Sequence, residues 1–469
     1  MEGENRICLI LEGSYPYITG GVSSWVHELI KELKSFNFVL FTISPEENQE
    51  IQYELPPNII DHRDVVITER QSSEKRPKRE KTLFKEIINI HRELFAEAAP
   101  NLHTMVTNLP ERYYLYEDAV TSDEGWELIT ESNQRQNPVY PFIDYYWAWR
   151  SVHNMVFTIL GAEAPKADLY HAISTGYAGL AGVAAKIRKD KPFFVTEHGL
   201  YHKEREMEIR KSGFIRGYQR DMWIKMFRGL SRITYNHADL ITSLFEENRK
   251  LQIELGAPRE RTLVIPNGID IQRYSSVCRE KREGFHVGLV GRVVPIKDIK
   301  TFIATAKIFL EMVPTATFYC IGPTDEDPGY YENCRLMVRS LHIEDRFIFT
   351  GKQDVLKYYS FLDVLMLTSV REAQPLVILE GFCAGIPVVA TRVGNVPELL
   401  EYDERFLADP KDPEKLAEGL KYIYNNPDEI SYLVERNREK TVRFYNRDDV
   451  FEKYSKIYRA LIRKVLWQE

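Results

Sequence analysis

Residues 285–298 read FHVGLVGRVVPIKD, and this stretch decides the fold: an apolar run broken by one histidine ends in Gly291-Arg292, and Lys297-Asp298 stand where a helix begins. A short, continuously apolar run marks a strand covered on both faces, as in a parallel sheet flanked by helices. The unit recurs downstream as ATFYCIG (316–322), RFIFTG (346–351), DVLMLTS (363–369) and PVVATRV (387–393), each followed by helical sequence. Upstream, RICLIL (6–11) and FVLFTI (38–43) flank a helix expected from Val22 to Lys34, and ADLYHAIS (167–174), PFFVTEHG (192–199), ADLITSL (238–244) and TLVIPNG (262–268) continue the alternation. Alternating strand and helix signals give doubly wound α/β domains. The expected division is a first domain over 1–275, a second over 276–445, and a tail over 446–469. The rhythm breaks from about 45 to 141, where KRPKREK (75–81) and a helix near Leu83–Glu97 fall in a polar, aromatic-rich insertion.

Size agrees with two domains, because 469 residues exceed one ordinary core. With 44 % apolar and 28 % charged residues the chain is of the folded class. A net charge of -7 argues against general nucleic-acid binding, which wants a basic face. The start shows no secretory leader, and no apolar run reaches membrane-spanning length. Cys8, Cys278, Cys320, Cys334 and Cys383 are scattered and never spaced CxxC, which suits a reducing compartment and a cytoplasmic location.

Doubly wound sheets bind ligands outside the carboxyl ends of their strands, so functional residues are sought just after strands. After the first strand, Gly13 to Val22 carries Gly20-Gly21 at a helix start, where free N–H groups and the positive dipole end suit a phosphate; a purely conformational turn is the alternative. After GLV come Arg292 and Lys297, a guanidinium fork and a point charge able to neutralise a diphosphate, unless both are solvated surface cations. After DVLMLTS comes Glu372-Ala-Gln-Pro-Leu-Val-Ile-Leu-Glu380. Pro375 is read as the first helical residue, and Glu380 sits about 7 Å farther along the axis at ~1.5 Å per residue. A donor with its sugar at the helix start and its ribose farther on would meet both carboxylates, with the N–H groups near Gln374, Pro375, Leu376 and Val377 facing the phosphate. A glycosidase would use the same two carboxylates as acid and nucleophile, leaving Arg292 and Lys297 without a role. His198, in EHG, suits a hydrogen bond to a sugar hydroxyl or a base for an acceptor, against a core histidine; His171 is a weaker candidate of the same kind.

In this order the GG loop, EHG, PNGID, GRxxxxK and the Glu-x7-Glu pair resemble the retaining GT-B glycosyltransferases of family 4, over nearly the whole chain except the insertion. The run LEGSYPYITGGVSSWVHELI (11–30) is similar to enzymes of Pel-type exopolysaccharide synthesis. The resemblance implies two Rossmann-like domains facing across a cleft, with a C-terminal helix crossing back to the first domain. It implies transfer from a UDP-sugar to a polysaccharide acceptor with retention of configuration and no obligatory metal or other cofactor. Arg292 and Lys297 would bind the diphosphate, Glu380 the ribose and Glu372 the donor sugar; Lys352 and Gln353 would frame the base, and His198 would lie near donor sugar and acceptor. Ala373-Gln374-Pro375 depart from the Gly or Ser then Phe-Gly of many relatives, which leaves sugar identity open.

Two further readings come from the residues. The tail carries Phe451, Tyr454, Ile457, Tyr458, Leu461 and Leu466 at helical spacing and needs a surface to cover them. Segment 203–232 alternates cations with Phe214, Ile215, Tyr218, Trp223, Met226 and Phe227, which suits peripheral docking on an anionic inner membrane or its polysaccharide-synthesis proteins, or else a core helix with a solvated basic face. A sugar-nucleotide epimerase or a non-catalytic nucleotide-sugar-binding subunit would share the same phosphate grips.

Overall fold

The computed structural model describes residues 5–47, 49–67, 80–95, 98–113, 122–136, 141–212 and 217–464. The chain divides into two compact units, Met1–Ile265 with Phe451–Glu469, and Pro266–Val450. The division falls ten residues before the 275 read from the sequence, because the last strand of the first unit ends at Val264 and Pro266 already belongs to the second.

The first unit is built on seven strands: β1 (Arg6–Glu12), β2 (Asn37–Ser44), β3 (Ile59–Val66), β4 (Leu169–Ala172), β5 (Phe193–Glu197), β6 (Leu240–Ser243) and β7 (Thr262–Val264). They lie parallel in the order β3-β2-β1-β4-β5-β6-β7. Every residue of β4, β5 and β6 is buried, which is why those runs read as apolar without alternation. β3 corrects the insertion: IIDHRDVV sets the polar stretch Asp61–Asp64 between two apolar pairs, so this edge strand lacks the continuous apolar run of its neighbours, and it falls inside the segment expected as a polar insert.

The rest of that insert is helical where described. Helices span Glu80–Phe95, His103–Asn108, Asp123–Gln136 and Phe142–Gly161. Leu83, Phe84, Ile87, Met105, Val106, Trp149 and Val152 share one core with the sheet residues Cys8, Ile10 and Phe41, so these helices are part of the unit and not an appendage. Residues 75–79 of the basic run lie outside the described residues.

The tail helix, Arg447–Ile462, returns to the first unit from Phe451 onward. Phe451, Tyr454, Ile457 and Tyr458 are buried there, with the Tyr458 ring edge-on to Phe36 at 5.4 Å and Tyr454 beside Phe194 at 5.9 Å. The apolar stripe therefore has its partner; Leu466 lies outside the described residues.

Segment 203–232 folds as helices Tyr201–Lys211 and Tyr218–His237, and its apolar side is consumed by the core. Ile209, Met222, Ile224, Met226, Phe227 and Leu230 are all buried, and Trp223 packs against the same cluster. Arg210 and Arg228 both pair with Glu206 at 2.8 Å. The segment is thus a core element with a solvated basic face, which corrects the docking reading for its described part; Phe214, Ile215 and Arg216 lie outside the described residues. No described helix is long and apolar enough to cross a membrane.

The second unit carries six parallel strands, β8 (Phe285–Val290), β9 (Ala316–Ile321), β10 (Phe347–Gly351), β11 (Val364–Leu367), β12 (Val388–Thr391) and β13 (Leu407–Ala408), in the order β10-β9-β8-β11-β12-β13. Its core runs from Phe285 and Val287 through Phe302, Phe318 and Leu365 to Leu416 and Leu420. β13, two residues long, carried no readable signal.

Burial in the first unit sets an acid limit. His153, His198 and His202 are held down to about 4 by desolvation, the last also by Lys203 and Arg228. An unfolded imidazole titrates near about 6.5, so unfolding takes up protons below that pH. The contribution to stability is intact above about 6.5 and is lost as pH falls toward about 4, on the order of 3 kcal/mol for each histidine. Denaturant midpoints measured from pH 7 to 4.5 should fall, and His153→Gln should flatten part of that slope; an unchanged slope in the variant contradicts a neutral buried His153.

Candidate functional site

In the second unit the strand order reverses between β8 and β11: the chain leaves β8 toward β9 and β10, then returns to β8's other side. The two loops leaving this pair carry Arg292 with Lys297, and Glu372. A crevice at such a reversal is where doubly wound sheets take ligands.

The loops are knitted together. Thr368 Oγ1 donates to the Lys297 carbonyl at 2.8 Å and to that of Asp298 at 3.1 Å, and Val370 N donates to the Ile296 carbonyl at 2.9 Å. Lys297 Nζ lies 2.6 Å from Glu372 Oε1, which also accepts from Ser369 Oγ at 2.7 Å. The pair is largely enclosed, with side-chain exposures of 20 % and 17 %. Arg292 makes a forked contact to Glu326, at 2.6 and 2.8 Å, but both side chains are about half exposed, at 52 % and 49 %. Such surface pairs contribute ~0–1 kcal/mol, so a diphosphate can displace Glu326 at little cost. Glu326 belongs to the Asp325-Glu326-Asp327 run, which starts the helix Pro328–Ser340 through an Asp327 cap on Tyr330 N at 2.9 Å.

Of the carboxylate pair, Glu372 lies in the loop before the helix Leu376–Cys383 and Glu380 on the helix itself. Pro375 is its N-cap and not its first residue, with φ -75 and ψ 103, one position from the sequence reading. No side chain caps this end and its first turn holds no acid, so the N–H groups of Leu376 and Val377 stay available to an anion. Gln374 departs from the expected role. Its buried amide accepts from Asn267 N at 2.8 Å through Oε1 and donates to the Asn267 carbonyl at 3.1 Å through Nε2. The side chain is used up as a clamp on the PNGID segment, which leaves only its backbone to a donor. Glu380, on the fifth residue of the helix, accepts from Tyr359 OH at 2.9 Å and from Tyr274. Burial raises its pKa, and the two tyrosine hydroxyls oppose that rise. Lys352 stands exposed after the edge strand β10, two strands away from β8.

The first unit has its own reversal, between β1 and β4. The helix Gly21–Glu32 begins there with Gly20 as an extended N-cap, no side-chain cap and no acid in its first turn. Gly20 and Gly21 are exposed, with nothing within 4 Å of where a Cβ would stand. The neighbouring helix Tyr177–Lys189 is not available in the same way, because Glu12 accepts from Tyr177 N at 2.9 Å and Ala178 N at 3.4 Å.

His198 and His171 part company. His171 bonds Tyr458 OH at 2.7 Å and Thr196 Oγ1 at 2.9 Å, so both ring nitrogens are satisfied and it is a core histidine. His198 lies edge-on to Trp25 at 4.5 Å, and its buried Nε2 has no partner among the described residues, nor has Trp25 Nε1. Unpaired buried polar atoms are costly, so these two could each take a hydrogen bond from a ligand at the strand end. Beneath them Glu197 accepts from Tyr235 OH (2.5 Å), Gln252 Nε2 (2.9 Å), Thr175 Oγ1 (3.0 Å) and Tyr201 N (3.3 Å), and so fixes the EHG turn.

Sequence reasoning missed Trp25, Ser369, Tyr274, Tyr359 and Glu326, none of which lies in a motif with a chemical reason of its own. Glu12 left a signal, as an acid closing an apolar strand.

The fold is that of GT-B proteins, and residues 284–426 match the family model described as Glycosyl transferases group 1. Over its first half the chain belongs to the family whose model, described as Domain of unknown function (DUF3492), matches residues 5–260. It is 25 % identical over 249 residues to N-acetyl-alpha-D-glucosaminyl L-malate synthase of Bacillus anthracis, a match over 50 % of this chain and 63 % of that protein. It is 22 % identical over 309 residues to UDP-Gal:alpha-D-GlcNAc-diphosphoundecaprenol alpha-1,3-galactosyltransferase of Escherichia coli, covering 62 % and 75 %. Among solved structures, Anabaena HepE in complex with UDP aligns with a TM-score of 0.60 at 15 % identity over 97 % of this chain and 100 % of that one. Sucrose-phosphate synthase of Thermosynechococcus elongatus gives 0.60 at 18 % identity over 98 % and 100 %. These structural likenesses establish the fold.

One glycine tests the second-unit geometry. Gly394, at φ +53, places a Cβ 2.2 Å from the Ala373 carbonyl oxygen and 2.4 Å from that of Glu372, while Asn395 N donates to the Ala373 carbonyl at 3.0 Å. Gly394→Ala must push the Glu372 loop away at a cost of roughly 1–3 kcal/mol. Thermal melting should show that loss; a wild-type midpoint contradicts the close approach.

Proposed function

We propose that the chain transfers a sugar, with retention of configuration and without an obligatory metal, from a UDP-sugar to a growing polysaccharide in the cytoplasm. The observation that carries this reading is the convergence of Arg292, Lys297 and Glu372 on the loops of the adjacent strands β8 and β11, beside the uncapped helix that bears Glu380. All four residues lie inside the stretch that matches the glycosyltransferase model. A UDP donor is supported by the donor named for the Escherichia coli relative and by the UDP complex of the Anabaena protein.

In this reading Arg292 exchanges Glu326 for the diphosphate, and Lys297 shares its charge between Glu372 and a phosphate oxygen. Charge accumulates on the leaving diphosphate as the glycosidic bond breaks, and preorganised cations favour that state over the ground state. Glu380, held by two tyrosines, accepts from the ribose hydroxyls. Glu372 orients the donor sugar, and Lys352 frames the base. His198, neutral above pH about 4, hydrogen-bonds a sugar hydroxyl and does not add charge.

The run LEGSYPYITGGVSSWVHELI narrows the proposal to the PelF protein of Pel exopolysaccharide synthesis, with inner-membrane Pel proteins as partners. Any such association would use a surface other than the apolar side of 203–232, which is buried.

Calorimetric titration with UDP-, GDP- and ADP-sugars should give heat for the UDP series, in EDTA as well as with added divalent cation. Arg292→Ala should lower turnover about a hundredfold, the usual loss for one preorganised group facing developing charge. Near-normal turnover in that variant, or activity abolished by EDTA, would overturn the reading.

A further inference from the structure

The residues described so far stand at the carboxyl ends of strands. At the opposite edge of the first unit's sheet lies a cavity of about 450 Å³ lined by Arg6, Lys166, Ala167, Asp168, Tyr170, Lys189 and Lys191. Arg6 is the first residue of β1, Ala167 and Asp168 immediately precede β4, and Lys189 and Lys191 precede β5. β1, β4 and β5 are neighbours in the sheet, so three separate stretches of sequence deliver their cations to one place.

The charge balance there is uneven. Among the described residues four cations and one acid line it, and a second acid, Glu111, pairs with one of the cations, in a chain whose net charge is -7. Asp168 is already committed, accepting from Arg6 N at 3.1 Å and lying 3.6 Å from Lys191 Nζ. Lys189, only 26 % exposed, reaches Glu111 at 2.9 Å. Lys166 is exposed, with no ion pair among the described residues. Like charges brought to one concavity cost free energy unless an anion offsets them, and concave walls focus the field. The volume lies within the range of small-ligand sites and exceeds what one simple anion fills.

We infer that this cavity is a second anion site, taking a phosphate- or pyrophosphate-bearing group, at the edge of the first unit's sheet opposite the one that carries His198. Lys191 and His198 bracket β5 seven residues apart, a separation of roughly 23 Å at ~3.3 Å per residue. The two edges therefore bind independently in space, and the inference does not rest on the transferase reading. The group is carried by a free phosphorylated metabolite or by a lipid headgroup; the chemistry is shared, with ammonium groups as mobile point charges around phosphate oxygens.

The test uses the full chain at low salt. Inorganic pyrophosphate is titrated calorimetrically into wild type, Arg292→Ala, and Lys166→Glu/Lys191→Glu, with Lys166→Gln/Lys191→Gln as a milder pair should charge reversal unfold the chain. Vesicles of phosphatidylglycerol and phosphatidylcholine are sedimented with the same proteins. Wild type should show a pyrophosphate site that persists in Arg292→Ala and weakens at least tenfold in the lysine variants, which assigns a small phosphorylated ligand. Loss of phosphatidylglycerol sedimentation in the lysine variants, with no such pyrophosphate site in wild type, assigns a headgroup. Pyrophosphate and vesicle binding that are both unchanged in folded lysine variants overturn the inference.

Discussion

Parallel strands cannot be joined by tight turns, and that constraint organises everything in this protein. Each strand must return through a crossover, so every strand leaves its sheet at the same edge, and the residue after each strand is delivered to a common place. The Arg292, Lys297 and Glu372 loops are neighbours for this reason, although 75 residues separate the lysine from the glutamate. The same constraint gathers Gly20 with the His198 turn in the first unit, and collects Arg6, Lys166, Lys189 and Lys191 at the opposite edge.

On this frame the two site cations of the second unit are each paired with a carboxylate. Lys297 holds Glu372, and Arg292 holds Glu326. The two pairs differ in burial, and with it in cost of exchange: the half-exposed arginine is nearly free to change partners, while the enclosed lysine–glutamate pair stays and shares its charge. Neutral scaffolding does the rest. Tyrosines orient Glu380, Gln374 clamps the backbone of Asn267, and Gly394 lets a neighbouring turn lie against the Glu372 loop. In the first unit Glu12 and Glu197 are saturated with donors, while polar atoms of Trp25 and His198 have no partner among the described residues.

Much of this was written in local sequence. Continuous apolar runs announced the buried strands, helical spacing at Phe451, Tyr454, Ile457 and Tyr458 announced a tail that needed a partner, and motif order announced the class. Hydropathy and spacing act over a few residues, so a sequence carries them directly. Where sequence reading failed, an edge or a long-range contact was the cause. β3, at the edge of its sheet, carries a polar centre in place of a continuous apolar run, and the basic segment 203–232 looks like a docking surface because its apolar face cannot be seen from sequence to meet a core.

What the sequence determined by itself, then, is the alternation of elements, the two-domain class, and which chemical groups follow which strands. Tertiary structure alone decided that His171 has both ring nitrogens bonded, that Gln374 spends its amide on Asn267, that Arg292 pairs with Glu326, and that four distant cations share a cavity. The physical reason is that hydrogen bonds and charge pairs are settled by proximity of a few ångströms, and proximity between residues far apart in the chain exists only once the sheets have formed.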